Sequence, residues 1–324
     1  MSTPIKVLVV GATGRTGMSV APFFNTDKGK AVTALTRESS LGKPENQKLK
    51  DRGVQVVAAD LLGPKERLVD VLTGIDIVIS ATFWRNLFDQ IPLAEAAKEA
   101  GVKRFVPCSF MTPSPRGAMR MYDWKDDILA AIQRVYLPWT SIDVGWWSEQ
   151  VVPSIPSGRT QKYQSPYFEK IPGDGTMPVA LTALADIGNY VAKIIVDPRT
   201  LNKKVFAYTD VHTYHEVHDL MERLSGEKTA RSYVPASEVK QKIDEAEETL
   251  SKDPKNDAAL MQLFFFQYQN NLGIRGDNTP AKAKIFGYLD FKELYPDVKG
   301  ETVSELFQKI LNGQDKDSLY YLWK

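Results

Sequence analysis

The chain has 324 residues, 43% hydrophobic and 25% charged, the composition of an ordinary folded protein with room for two domains or one large domain and an added lobe. Lys and Arg number 41 against 40 Asp and Glu, a balance of +1 that excludes the basic excess of a general nucleic-acid binder. The single cysteine, Cys108, excludes an intrachain disulfide and points to a reducing compartment.

The first residues, MSTPIKVLVV, hold too short an apolar run for a signal-peptide core or a membrane span, so a cytoplasmic protein without a membrane partner is expected. Ile5–Val10 is a continuous β-branched run, as in a strand buried on both faces of a parallel sheet. GATGRTG follows at once and opens a helix. Gly11, Gly14 and Gly17 stand in a G-x-x-G-x-x-G array, with Thr13, Arg15 and Thr16 between them. The first glycine permits a tight turn, the second lets backbone N–H groups approach a pyrophosphate, and the third lets helix pack closely on strand. Strand before and helix after are the context that raises this pattern above a generic Gly-rich turn.

AVTALTR (31–37) is a second strand, VQVVAAD (54–60) a third and DIVISAT (76–82) a fourth. IPLAEAAKEAG (91–101) is a helix stopped by Gly101, KRFVPCSF (103–110) a fifth strand and PWTSIDVGWW (138–147) a sixth. Strands alternating with helices predict an α/β fold, a Rossmann-type doubly wound parallel sheet, with a second, smaller substrate lobe after a Pro/Ser/Gly break. The boundary is expected near 150, giving 1–150 and 151–324, with about 176–210 returning to the first domain.

In such sheets a ligand lies beyond the carboxyl ends of the strands. Arg37 closes the second strand, where an NAD-binding chain usually carries an acid. With Arg15 and Lys43 it suits the 2′-phosphate of NADP(H). Ala81 and Thr82 after the fourth strand, and Ser109 and Phe110 after the fifth, fall on the same edge and are assigned to the cofactor. Trp146 and Trp147, after the sixth, suit a flat aromatic substrate or core packing.

MYDWKDDILAAIQ (121–133) reads as a helix with Tyr122 and Lys125 three residues apart. That is one short of the Y-x-x-x-K pair of short-chain dehydrogenases. By itself Lys125 reads as a solvated helix lysine among Asp123, Asp126 and Asp127.

VLVVGATGRTG, DIVISAT, KEAGVKRFVPCSF and GDGTMPVALTALADIGNYVAKIIVDPRTLNK, with SYVPASEV and LYPDVKGETVSEL further on, carry a family resemblance. Over nearly its whole length the chain resembles the isoflavone reductase and phenylcoumaran benzylic ether reductase group, atypical short-chain dehydrogenases of the NmrA-like superfamily. The resemblance implies NADP(H) as cofactor, a small aromatic or phenolic substrate, and one catalytic lysine without a partner tyrosine. That lysine matches Lys125, which would also touch the cofactor. Tyr122, one turn away on the same face, is left to substrate or to packing. The resemblance equally admits a regulator that senses NADP and does no chemistry, and Lys125 favours the enzyme. The family's Ser-Glu-Phe-Gly reads Cys108-Ser109-Phe110-Met111 here, which keeps the phenylalanine and loses the acid.

His212, His215 and His218 invite a zinc reading, but Thr213 and Glu216 form a T-x-x-E capping box that starts a helix between them, and no metal is expected. Cys108 is taken as a strand-end residue. MQLFFFQYQ (261–269) is assigned to the core of the second lobe, with a share in the pocket left open. The aromatic SLYYLWK terminus docks on the body or at an oligomer contact, which leaves room for a homodimer.

Overall fold

The structure, a computed structural model, describes residues 4–25, 30–164 and 169–315. Five parallel strands form the central sheet: β1 (Ile5–Val10), β2 (Lys30–Thr36), β3 (Gln55–Ala58), β4 (Ile77–Ser80) and β5 (Arg104–Val106), in the order β3-β2-β1-β4-β5. The order turns at β1, which pairs with β2 on one side and β4 on the other, so the crevice above its carboxyl end is the switch point of the fold. Val7, Leu8 and Val9 are fully buried because helices cover both faces. Those helices are α1 (Arg15–Asn25), α2 (Pro44–Asp51), α3 (Lys65–Leu72), α4 (Gln90–Glu99) and α5 (Arg120–Arg134).

The sixth strand departs from expectation. The stretch 138–147 divides into β6 (Thr140–Asp143) and β7 (Trp146–Trp147). Gly145 makes the break. It sits at φ +69°, and a Cβ there would lie 2.5 Å from the carbonyl oxygen of Ala180. Trp139, just before β6, bridges to Phe105 of β5 in the central sheet.

β8 (Ile171–Pro172), β9 (Pro178–Thr182), α6 (Ile187–Ile194), β10 (Lys203–Phe206) and β11 (Asp210–Thr213) follow, then α7 (Tyr214–Ser225), β12 (Tyr233–Val234), α8 (Ala236–Lys252), α9 (Asp257–Gln269) and β13 (Tyr288–Asp290). β6, β10 and β13 make a parallel three-stranded sheet that extends the first layer. β7 instead pairs with β9, and β9 with β11. β10, which falls within 176–210, and β13 therefore lie in the same small sheet as β6. α6 packs on α1, with Gly188 N–H donating to Ser19 Oγ at 2.9 Å.

α8 and α9 form a hairpin. Asn256 caps α9 by accepting from Ala259 N at 3.0 Å. Leu263 packs toward Ala246 and Leu250 of α8. Phe264, one residue on, stands edge-on to both Trp84 and Trp124 at 5.5 Å. An apolar residue on nearly every face is therefore used twice, once against α8 and once against the first layer.

Candidate active site

A cavity of about 510 Å³ opens above β1, walled by the glycine loop, the ends of β2, β3 and β4, and Trp147. Gly11 is at φ +72°, and a Cβ there would fall 2.3 Å from Ala81 O. A Cβ on Gly17 would fall 2.2 Å from Gly11 O. Both glycines let backbone approach backbone. Gly17 does this from inside α1 and takes no part in the wall. Gly14 N–H closes the turn on Gly11 O at 3.0 Å, and α1 begins immediately after with no acid in its first turn. The N-terminus of α1 therefore keeps its partial positive charge for an anion. Thr13, Arg15, Thr16, Ala81 and Thr82 line this cavity, and so do Arg37 and Lys43 at its outer corner. Ser40, Asn46, Asp60, Phe83, Asn86 and Asp89 line it too, and sequence reasoning did not single them out. A backbone-tight loop, a helix N-terminus and an exposed cationic corner fit a dinucleotide with an extra phosphate.

A second cavity of about 380 Å³ adjoins the first, sharing Thr16, Thr82, Phe83 and Trp147. Ser109, Phe110 and Lys125, assigned to the cofactor from sequence, line this inner cavity rather than the outer one. Trp146 lines it with its ring 4.9 Å from that of Tyr268, and the Arg15 guanidinium lies 5.9 Å from the Trp147 ring. Most of the remaining wall is apolar: Trp84, Leu87, Met111, Met121, Met261, Phe264 and Phe265. The α9 residues are assigned from sequence to the core of the second lobe, with a share in the pocket left open; Met261, Phe264, Phe265 and Tyr268 line the inner cavity. Trp84 opens a short 3-10 helix (Trp84–Asp89) just past β4, where aromatic residues at a strand end are the signal.

Among the described residues, Lys125 is the one charged side chain in the inner wall. Its Nζ donates to the carbonyl of Ser109. The acids around it in sequence are engaged elsewhere. Asp123 accepts from Gly117 N at 2.8 Å, Asp127 pairs with Arg116 at 2.6 Å, and Asp126 pairs with Lys204 at 3.0 Å. Phe110 adopts φ +46°, a left-handed backbone that costs a bulky residue about 1–3 kcal/mol and clusters at functional sites. Its N–H donates to Ile142 O at 2.8 Å.

Tyr122 is buried and lines neither cavity. Its hydroxyl meets that of Tyr288 at 3.2 Å and accepts from Lys204 Nζ at 3.0 Å. Burial pushes the Cys108 thiol up, and its Sγ donates to Thr82 O at 3.2 Å, which keeps it out of the thiolate form a nucleophile needs. The three histidines go separate ways. His212 faces Asp210, His215 meets Tyr233 OH at 3.2 Å, and His218 meets Thr229 Oγ1 at 2.8 Å. The Thr213–Glu216 capping box is present. No group of three possible metal ligands occurs among the described residues. The SLYYLWK terminus lies outside the described residues. No described helix is long and apolar enough to cross a membrane.

The sequence profile of the NmrA-like family matches residues 4–296. A protein of Aspergillus novofumigatus named asnovolin J 5',6'-dehydrogenase is 46% identical over 97% of this chain and 98% of its own length. Phenylcoumaran benzylic ether reductase TP7 of Nicotiana tabacum is 30% identical over 94% of this chain and 98% of its own. The solved complex of leucoanthocyanidin reductase with NADPH from Vitis vinifera superposes with a TM-score of 0.78, covering 95% of this chain and 99% of that one at 24% identity. That last likeness is one of fold. With a family profile over most of its length and relatives alike from end to end, the chain belongs to the NmrA-like family.

Proposed function

We propose that the protein is an NADP(H)-dependent oxidoreductase that reduces a small, flat, largely apolar aromatic molecule, with Lys125 moving the proton. The observation that carries this reading is Lys125, the charged side chain in the wall of a largely apolar cavity adjoining the glycine-loop cavity. The relatives support the oxidoreductase class: the two named above are a dehydrogenase and a reductase. The Vitis vinifera complex, described with NADPH, supports the cofactor.

When bound, NADPH supplies the hydride. The glycine loop and the N-terminus of α1 would hold its pyrophosphate, and Arg37 and Lys43 its 2′-phosphate. Phe83 and Trp147 stand where the two cavities meet and would pack on the part of the cofactor that reaches the inner cavity. The apolar wall excludes water and leaves a substrate few partners for scattered hydroxyls, which selects a mostly hydrocarbon ring system with one polar function near Lys125. Lys125 keeps two N–H donors beyond the one given to Ser109 O, enough to hold a substrate oxygen and pass it a proton.

The name of the Aspergillus relative describes the oxidative direction, so the same site is proposed to run either way. The test is a screen of NADPH consumption against phenolic ethers, enones and aromatic ketones, with NADP⁺ reduction measured on the saturated counterparts. Turnover of one class identifies the substrate. NADPH binding with no turnover of any class would return the protein to the sensing reading.

A further inference from the structure

Asp143 ends β6, is fully buried, and is not in the wall of either cavity. Its carboxyl group accepts three hydrogen bonds. Oδ1 takes Ser109 Oγ at 2.6 Å and Met111 N at 3.2 Å, and Oδ2 takes the Tyr288 hydroxyl. Two of these donors flank Phe110, the residue with left-handed backbone, and Ser109 also presents the carbonyl that accepts from Lys125. The Ser-Glu-Phe-Gly pattern places its acid where this chain has Ser109. Here a carboxyl group reaches the same loop from the next strand.

We propose that Asp143, assisted by Tyr288, is a positioning residue: it clamps residues 109–111 so that Phe110 faces the inner cavity and the Ser109 carbonyl meets Lys125. The proposal rests on the reading of Lys125 as the proton-transfer residue. A dry carboxyl group is kept only where donors satisfy it, and all of the donors here come from the loop behind Lys125 or from β13. A left-handed phenylalanine persists only where its surroundings over-determine it, and bonds from residues 109, 110 and 111 to residues 142 and 143 do so. Tyr288 ties the clamp to the neighbouring sheet. Burial and the nearby Asp143 push its phenol well above the usual range, so it serves as a donor. Without Asp143 the loop relaxes toward ordinary φ and carries the Ser109 carbonyl away from Lys125.

The full-length variants Asp143→Ala, Asp143→Asn and Tyr288→Phe test this by three readouts: NADPH titration, steady-state kinetics on a substrate from the screen, and acetylation of Lys125 by acetic anhydride in the cofactor-free protein, read by mass spectrometry. Asp143→Ala is expected to lose roughly 100-fold in kcat, the scale of an ångström-sized misplacement, with NADPH affinity kept. Its Lys125 should acetylate several-fold faster because its carbonyl partner is gone. Asparagine keeps the acceptor for Ser109 and Met111 and should rescue both effects, while Tyr288→Phe should fall between. Unchanged kcat and unchanged Lys125 labelling in Asp143→Ala would overturn the proposal, as would equal collapse of turnover and NADPH binding in the alanine and asparagine variants. If Asp143→Ala does not fold, Tyr288→Phe decides, and native labelling there refutes the clamp. If the native chain turns over nothing in the screen, it is the enzyme reading that fails, and the labelling result still decides the clamp.

Discussion

Lys125 spends one donor on a backbone carbonyl and none on the acids beside it in sequence, because Arg116, Lys204 and the Gly117 amide have already taken them. Replacing it with methionine keeps the aliphatic stem and helix propensity. Lys125→Met should therefore lose about 10²–10⁴-fold in turnover while NADPH affinity, proposed to be set at the outer cavity, stays nearly constant. Tyr122→Phe should keep nearly all turnover, since its hydroxyl serves Tyr288 and Lys204 and lines neither cavity. Kinetics on the pair settles which residue acts; a dead Tyr122→Phe beside an active Lys125→Met would reverse the assignment. At the outer corner proposed for the 2′-phosphate, Arg37 and Lys43 should make NADPH bind more tightly than NADH. The charge-assisted contact is worth up to about 1.5–3 kcal/mol, and toward the lower end for exposed groups. Calorimetric titration of both nucleotides checks this, and equal affinities would remove NADP(H) from the reading.

The glycine loop was legible because its requirement is steric and local. Gly17 must lie against Gly11 for α1 to leave β1 at the right angle, and the spacing of three records that contact. Gly17→Ala would place a methyl 2.2 Å from Gly11 O. It should cost about 1–3 kcal/mol or more in urea denaturation and weaken NADPH binding with it. Gly42→Ala, with no atom within 4 Å, is the control and should be near neutral. If both variants behave alike, the packing explanation is wrong. α9 was less legible. Its apolar residues lie all around the helix, so their pattern names no single buried face, and the division between α8 and the inner cavity follows only from docking. The break at Gly145 was missed for a related reason. TSIDVGWW reads as one strand, and the close approach of Ala180 that bends it comes from a segment more than thirty residues on.

At the scale of the molecule, Glu149 is buried beside the Leu184 amide, which donates to its Oε1 at 3.0 Å, and near Glu301 and Asp186 from two later segments. Burial foremost, with those acids, lifts it from its ordinary 4.5 to about 7. Its folded value lies above the unfolded one. Its contribution to stability is therefore fully present below about pH 4.5 and is lost as pH rises through about 7. Glu149→Gln should thus be more stable than the native chain by about 1–3 kcal/mol near pH 8, and the gap should close toward about pH 5. Melting at both pH values tests this, and a difference independent of pH would sink it.

The sequence by itself determined the parallel sheet, the tight glycine turn after its first strand and the candidacy of Lys125. Each of these is written in contiguous residues: β-branched runs, glycine spacing, and motifs that keep their order along the chain. Only the tertiary structure decided that Ser109, Phe110 and Lys125 wall the inner cavity rather than the outer one. It also decided that Tyr122 turns away, and that Asp143 reaches across from β6 to hold the loop between them. These outcomes depend on which strands lie side by side and where a helix hairpin docks. That is set by burial summed over distant segments, and no local pattern carries it.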